Sequence, residues 1–207
     1  MQKLVFLFLF LIFQLANSQE KEYYRVRTIA FYNVENLFDI TNDTLIYDDE
    51  RTPSGRYQWT AKRYKKKIAD IATVLTEIGQ KERLAPPDVI GLCEVENLEV
   101  LKDLVNHLPH ADAGYGIVHY DSPDERGIDV ALLYKKNSFL PISMKKHRLI
   151  ILNSDRQRDY TRDQLVVSGL LRSELIYLIV NHWPSRSGGE LKSRGHRIKA
   201  AELNRYI

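Results

Sequence analysis

The run Asp88-Val-Ile-Gly-Leu-Cys93 is too apolar for a strand with one face in water, and Pro86-Pro87 forces a break just before it. A strand of that composition belongs in the middle of a sheet, covered on both faces, so the chain must place a layer on each side of it. Helical material for one layer is present. From Trp59 to Gly79, residues Tyr64, Ile68, Ile71, Leu75 and Ile78 recur at spacings of four and three, which makes one apolar helix face with Gly79 as its stop. Asn97 to Leu108 reads as a second, shorter helix, and Glu190 onward as a third. Strands are expected at Arg25–Tyr32, Tyr115–Tyr120, Ile128–Tyr134, Gln164–Leu171 and Leu175–Val180. The middle two flank the turn cluster Asp121 to Gly127 and the last two flank Arg172-Ser173, so each pair reads as a hairpin. Strands of this number form two sheets, each with an apolar face for the helices to cover. The expected class is therefore α/β (α+β).

The first eighteen residues stand apart from that fold. Lys3 is followed by ten apolar residues, Leu4 to Phe13, and then by the small residues of Ala16-Asn17-Ser18. This is the pattern of a secretory signal peptide cleaved after Ser18, and the apolar run falls short of the ~20 residues a membrane-spanning helix needs. The mature chain would then be secreted or periplasmic, with no transmembrane segment, and residues 19–207 would form one domain. Without Lys3 the 30 basic residues fall to 29 against 27 acids, a net charge of +2. Global charge therefore does not mark a nucleic-acid binder, and local distribution has to carry that question. A single cysteine, Cys93, rules out an intramolecular disulfide. Beside Glu94 it reads as a small buried hydrophobe at a strand end rather than as a nucleophile, because the adjacent acid raises a thiol pKa.

Three strand ends carry residues suited to phosphate chemistry. Phe31 to Asp39 holds Asn33 and Glu35 two positions apart, so on an extended strand both reach the same side and one hard cation. The alternative is an Asn and a Glu that satisfy turn backbone groups. Cys93-Glu94-Val-Glu96-Asn97 places Glu94 at the carboxyl edge of the buried strand, where α/β folds bind ligands; Glu96 and Glu99 suit the positive end of the next helix. Val180-Asn-His182-Trp-Pro-Ser-Arg186 ends a strand on a histidine whose ordinary pKa lies near neutrality, followed by a Ser/Gly loop into a helix N-terminus that favours anions. Asp121, Arg126, Asp129 and Arg162 lie in or beside the loops, and a guanidinium grips phosphate at two points as lysine does not.

The strings FYNVENLFD, DVIGLCEVEN, RGIDVALLY and NHWPSRSGGE, in that order, resemble the endonuclease/exonuclease/phosphatase (DNase I-like) family, most closely its secreted bacterial branch, over Arg25 to Ile207. The resemblance implies a four-layer α/β/β/α sandwich of two packed mixed sheets with the site at one edge. It implies Mg²⁺ or Mn²⁺ held by Glu94 and Asn33, with Glu35 at an acidic position near the metal. It implies His182 against the scissile phosphate, with Asp121 near the acid that orients that histidine and Arg126 stabilising charge on the phosphoryl group. The reaction implied is in-line attack of water on a phosphoester. The family's Gly-Asp-x-Asn and Ser-Asp-His strings do not occur in the 207 residues, so the fold is expected to be incomplete at the C-terminus and the chain as it stands inactive.

Two basic stretches bear on the substrate. Lys62 to Lys67 packs five positive charges into six positions, and Arg186 to Lys199 carries five basic residues against one acid. Both suit several backbone phosphates, which favours nucleic acid, although the first equally suits a solvated helix face. Phospholipid head groups and sugar phosphates stay open, as does a truncated, non-catalytic polyanion-binding fragment. No protein partner is implied.

Overall fold

The computed structural model describes residues 26–82, 84–108, 114–153 and 155–207. The leader read over Met1 to Ser18, and Arg25 at the head of the first strand, lie outside them. The first sheet has the order β1 (Ile29–Leu37), β2 (Val89–Val95), β4 (Asp129–Lys135), β3 (Tyr115–His119), with β1 parallel to β2 and the other pairs antiparallel. Helix α1 (Ala61–Glu77) connects β1 to β2, and α2 (Leu98–His107) connects β2 to β3. The Asn97 side chain starts α2 by accepting from the backbone of Glu99 and Val100 at 2.9 and 3.0 Å.

The period of two explains why β2 is apolar throughout. Ile90 and Leu92 of β2, with Ala131 and Leu133 of β4, face Ile68, Ile71 and Leu75 of α1 and Leu101 and Leu104 of α2. The alternate residues, Val89 and Cys93 with Val130 and Leu132, face Phe139, Leu165, Val167 and Val180 of the second sheet. Each fully buried aliphatic side chain in these layers contributes roughly 1.5–3 kcal/mol relative to exposure. At Gly91 the sheets approach closely: a Cβ there would lie 3.1 Å from Phe31 and 3.4 Å from Val180. That closeness draws the end of the second sheet to the end of β2.

The second sheet is β5 (Phe139–His147), β8 (Gln164–Leu171) and β9 (Glu174–Val180), all antiparallel, so only the first sheet is mixed. A two-stranded ribbon, β6 (Ile151–Leu152) with β7 (Arg158–Asp159), and helix α3 (Glu190–Tyr206) complete the described chain. Phe139–His147 is not among the strands expected from the sequence, and it carries a proline, Pro141. As an edge strand it tolerates the proline, and the pairing with β8 slips between Pro141 and Ser143. Among the described residues the outer layer over the second sheet is incomplete, as expected for a sandwich incomplete at the C-terminus. Rather than covering the second sheet, α3 packs Ala200 and Leu203 against Leu149 and Ile151, and is tied to the strand ends by Gln164 to the Ala200 carbonyl and Asn181 to Asn204, each at 2.9 Å. The outer face of that sheet, with Leu140, Ile142 and Tyr177, is exposed.

Candidate functional site

Strand β1 does not end at Tyr32; it runs on to Leu37 through a break in its regular conformation. Glu35 and Asn36 both have positive φ, 56° and 62°, and the pairing with β2 slips between Asn33 and Leu37. Facing this, Glu94 has φ 67° and is the extra residue between Cys93 and Val95 in the pairing with β4. Left-handed conformations cost side-chain-bearing residues about 1–2 kcal/mol, and bulges of this kind re-aim side chains beside sites of chemistry.

The bulge brings three of the expected residues together. The Asn33 amide donates to Glu94 Oε1 at 3.1 Å, and His182 Nε2 lies 3.3 Å from the same oxygen. Asn33 Oδ1 accepts from the Glu35 backbone at 2.8 Å, which fixes the amide. Glu35 itself is turned away. Its left-handed backbone breaks the alternation that would have set it beside Asn33, so its side chain lines a separate groove with Tyr32, Trp59 and Lys67, and its carbonyl accepts from Lys67 Nζ at 2.6 Å. Burial lowers the Lys67 amine from its ordinary range, with Glu35 and Glu94 acting in the opposite sense.

Two arginines line the same cavity as Glu94 and His182. Arg162 is 7% exposed; it donates to Asp124 Oδ2 at 2.9 Å and to the carbonyls of His182 and Trp183 at 3.0 and 3.3 Å. One guanidinium thus pins the backbone on both sides of the histidine. Asp124, 4% exposed, also accepts from the Arg126 backbone at 3.1 Å and faces Arg126 Nε at 3.5 Å. Glu94, His182, Arg162 and Arg126 line one cavity of about 480 Å³, which extends to Lys192 and His196 on the first turns of α3. Asp124 was not singled out from the sequence, where it is one of three acids in the loop, and Arg162 was noted only as a surface candidate. The sign was the pair of buried opposite charges, which sequence spacing does not show.

Burial lowers the His182 pKa to about 4, helped by the Arg162 charge and opposed by Glu94, so the ring is neutral where a free imidazole would be partly charged. Nδ1 is buried without a partner while Nε2 faces a carboxylate, which favours the tautomer with its proton on Nε2. Asp121 sits elsewhere: its side chain is 90% exposed and 3.9 Å from His119, and it does not line the cavity. His119, Asp121 and Asp129 bring ligand-type atoms within 4.8 Å of one another. Asp129 is already engaged, however, by His119 Nε2 at 3.2 Å and by the backbone and hydroxyl of Ser122. Cys93 is 2% exposed and its thiol is pushed up to about 12 by burial first and then by Glu94, which excludes it as a nucleophile.

A hard cation such as Mg²⁺ takes one or two carboxylates and completes its shell with water and phosphate oxygens. The Glu94 carboxylate fits that donor set and lines a cavity shared with Arg126 and Arg162; Asn33 would join it through Oδ1, the oxygen that here accepts from the Glu35 backbone.

A family model described as Endonuclease/Exonuclease/phosphatase family matches residues 28–207. Among solved structures, a conserved protein of unknown function from Enterococcus faecalis is 14% identical with a TM-score of 0.51, over 85% of this chain and 58% of its own. A humanized Danio rerio TDP2 is 15% identical at 0.48, over 84% and 54%, and a mannosyl-6-phosphatase from Bacteroides thetaiotaomicron is 18% identical at 0.47, over 87% and 58%. At such identities the likeness concerns the fold alone, and the chain spans little more than half the length of these structures. No protein of curated function matches the sequence.

Proposed function

Because the chain belongs to the endonuclease/exonuclease/phosphatase family, we propose that it takes part in divalent-cation-dependent hydrolysis of a phosphate ester, with a nucleic-acid phosphodiester as the favoured substrate. The observation that carries this reading is the convergence of Asn33 and His182 on one oxygen of Glu94, at 3.1 and 3.3 Å, in a cavity walled by Arg126 and Arg162.

Each residue has a distinct part. Glu94 and Asn33 would hold the cation, which supplies positive charge to the phosphoryl oxygens and orients water. His182, neutral and with its proton on Nε2, donates a hydrogen bond to a phosphoryl oxygen as negative charge develops there. Arg126, half exposed at the cavity wall, grips the phosphate at two points. Arg162 is spent on Asp124 and two carbonyls, so it positions His182 and leaves the substrate to others. Water oxygen bonds to phosphorus and gives up one proton, the ester P–O bond breaks, and the departing oxygen takes up one proton, so that the elements of water are divided between the two products. Export of the chain is part of the same reading, supported by the apolar run Leu4 to Phe13 and the small residues before Gln19.

The test is hydrolysis of an oligonucleotide and of a sugar phosphate by the full-length protein in Mg²⁺ or Mn²⁺, with and without chelator. Glu94→Gln keeps the side-chain volume and abolishes turnover; His182→Ala lowers kcat by roughly 10²-fold while metal affinity stays as it was. Chelator-resistant turnover unaffected by Glu94→Gln would overturn the assignment, and a collapse of metal affinity in His182→Ala would make that residue a ligand. Turnover of the sugar phosphate alone would leave the site standing and remove nucleic acid as its substrate.

A further inference from the structure

A second cavity, about 610 Å³, adjoins the first and shares Asp124, Glu125 and Tyr160 with it. Its other wall is the loop after β1, through Asn42, Thr44, Leu45 and Tyr47. Three large side chains there lie open to solvent: Leu45 is 89% exposed, Tyr47 73% and Tyr160 46%. The loop that carries the first two is held rather than loose. Asp43 accepts from the Leu45 backbone at 2.9 Å, the Tyr47 backbone donates to the Glu125 carbonyl at 2.8 Å, and the Asp43 backbone donates to the fully buried Asp48 at 2.9 Å. Ile46 fills the space over Gly127, where φ is +64° and a Cβ would stand 2.1 Å from the Ile46 side chain. The Tyr160 ring carries the Arg158 guanidinium, 5.1 Å from its centroid, although Arg158 does not itself line the cavity.

Charge separates the two cavities. Among the described residues, the lining of the second includes Asp49, Asp124 and Glu125 and no lysine or arginine, and Arg158 is taken up by the Tyr160 ring, so the acids disfavour a phosphate there. The first has Arg126 and Arg162, and at its far end Lys192 and His196. A ligand whose phosphate sits between His182 and Arg126 can therefore extend two ways. Further phosphates suit the α3 side. An uncharged ring suits the aromatic side, where carboxylates and the Asn42 amide are placed to accept from amino groups.

We propose that the second cavity, between Tyr47 and Tyr160, binds the nucleobase of the nucleotide whose phosphate occupies the first. This rests on the phosphoester reading and narrows it to nucleotides, with amino-bearing bases preferred. Stacking on a tyrosine accepts any base, so the cavity selects nucleotides over other phosphate esters, and only the carboxylates and the Asn42 amide bias it toward amino-bearing bases.

The experiment measures binding of adenosine 5′-monophosphate and ribose 5-phosphate to the full-length protein in Mg²⁺, by calorimetry, for wild type, Tyr47→Ala and Tyr160→Ala. Both tyrosines are exposed enough that truncation leaves the core intact, which thermal melting confirms independently. The nucleotide is expected to bind roughly tenfold or more tightly than the sugar phosphate. Each variant should bring the nucleotide to the sugar phosphate's affinity, and Tyr47→Ala, at a residue outside the first cavity, should leave the latter unchanged. Equal affinities in the wild type, or equal losses of both ligands in the variants, would overturn the base site while leaving the phosphate site in place. Binding of neither ligand would overturn the phosphoester reading together with it.

Discussion

Arg162→Lys separates the holding of His182 from the holding of the fold. In the wild type the guanidinium makes three contacts, to Asp124 at 2.9 Å and to the carbonyls of His182 and Trp183 at 3.0 and 3.3 Å. Hydrogen bonds to charged groups are worth about 1.5–3 kcal/mol each, and a buried charge stripped of its partner costs about 3–5 kcal/mol. Arg162→Ala would strip Asp124 in that way. Against a domain stability of about 5–15 kcal/mol it would report on folding alone. Lysine keeps the charge and retains one contact, to Asp124, because its ammonium lacks the planar fork. It also removes the buried Arg162 Nε, which has no partner and offsets part of the loss by about 1–3 kcal/mol. The expected destabilisation is about 1–3 kcal/mol, read from urea unfolding. The histidine backbone, no longer pinned, drifts by a fraction of an ångström to an ångström, and a displacement of that size can cost ~10²-fold in rate. The signature is a fall in kcat with metal affinity and the substrate KM nearly unchanged, since Arg162 touches neither Glu94 nor the phosphate position. Wild-type kcat in a measurably destabilised Arg162→Lys would refute the clamp. Unchanged stability would refute the buried ion pair itself.

Glu94→Gly should remove metal-dependent activity yet shift stability by only about 1 kcal/mol, because relief of the left-handed strain, about 1–2 kcal/mol, opposes the greater chain entropy of glycine, the lost hydrogen bond from Asn33 and the lost contact with His182; an unfolding midpoint moved by far more would show that side-chain contacts, not backbone, make the bulge. Cys93 should resist thiol reagents in the native protein and label only at the rate of global unfolding, and prompt labelling would contradict its burial between the sheets. In the metal-free protein, burial first and then the Asp39, Asp48 and Asp43 charges raise Glu96 to about 8, above its unfolded value near 4.5. The native state therefore keeps a proton the unfolded chain has released, so stability falls as pH rises from about 4.5 to about 8 and levels off above; Glu96→Gln should flatten that fall, and an unaltered pH profile would show Glu96 to be ionised throughout.

Much of the fold was legible in the chain because burial on both faces leaves a plain trace. Asp88 to Cys93 had to be central, and it is, with helices on one side and a second sheet on the other. The hairpins around Asp121–Gly127 and Arg172-Ser173 pair as their turn residues indicated. The spacing of Ile68, Ile71 and Leu75 gave the buried face of α1. Phe139–His147 was illegible for a physical reason: its apolar residues Leu140, Ile142 and Met144 point to an exposed face, so they alternate with nothing that marks an inside, and Pro141 argues against any strand not at an edge.

The candidate site divides along the same line. Asn33, Glu94 and His182 were findable because each terminates an apolar run, and the ends of buried strands are where polar side chains must find a purpose. Glu35 looked equivalent to them, since a two-residue spacing on a regular strand puts it beside Asn33. It is not there, because two successive left-handed residues, neither of them glycine, interrupt the strand at that point. Nothing in local composition encodes a bulge whose strain is offset by the packing of two sheets, so side-chain direction was lost even where position was right. Asp124 was hidden for a related reason. Asp121, Asp124 and Glu125 look alike in one loop, yet only Asp124 is buried, and what buries it is Arg162, 38 residues away. A carboxylate so enclosed is tolerable only with that guanidinium, and the guanidinium in turn reaches the histidine's own carbonyl. The two loops that carry the chemistry are therefore set by one ion pair between them.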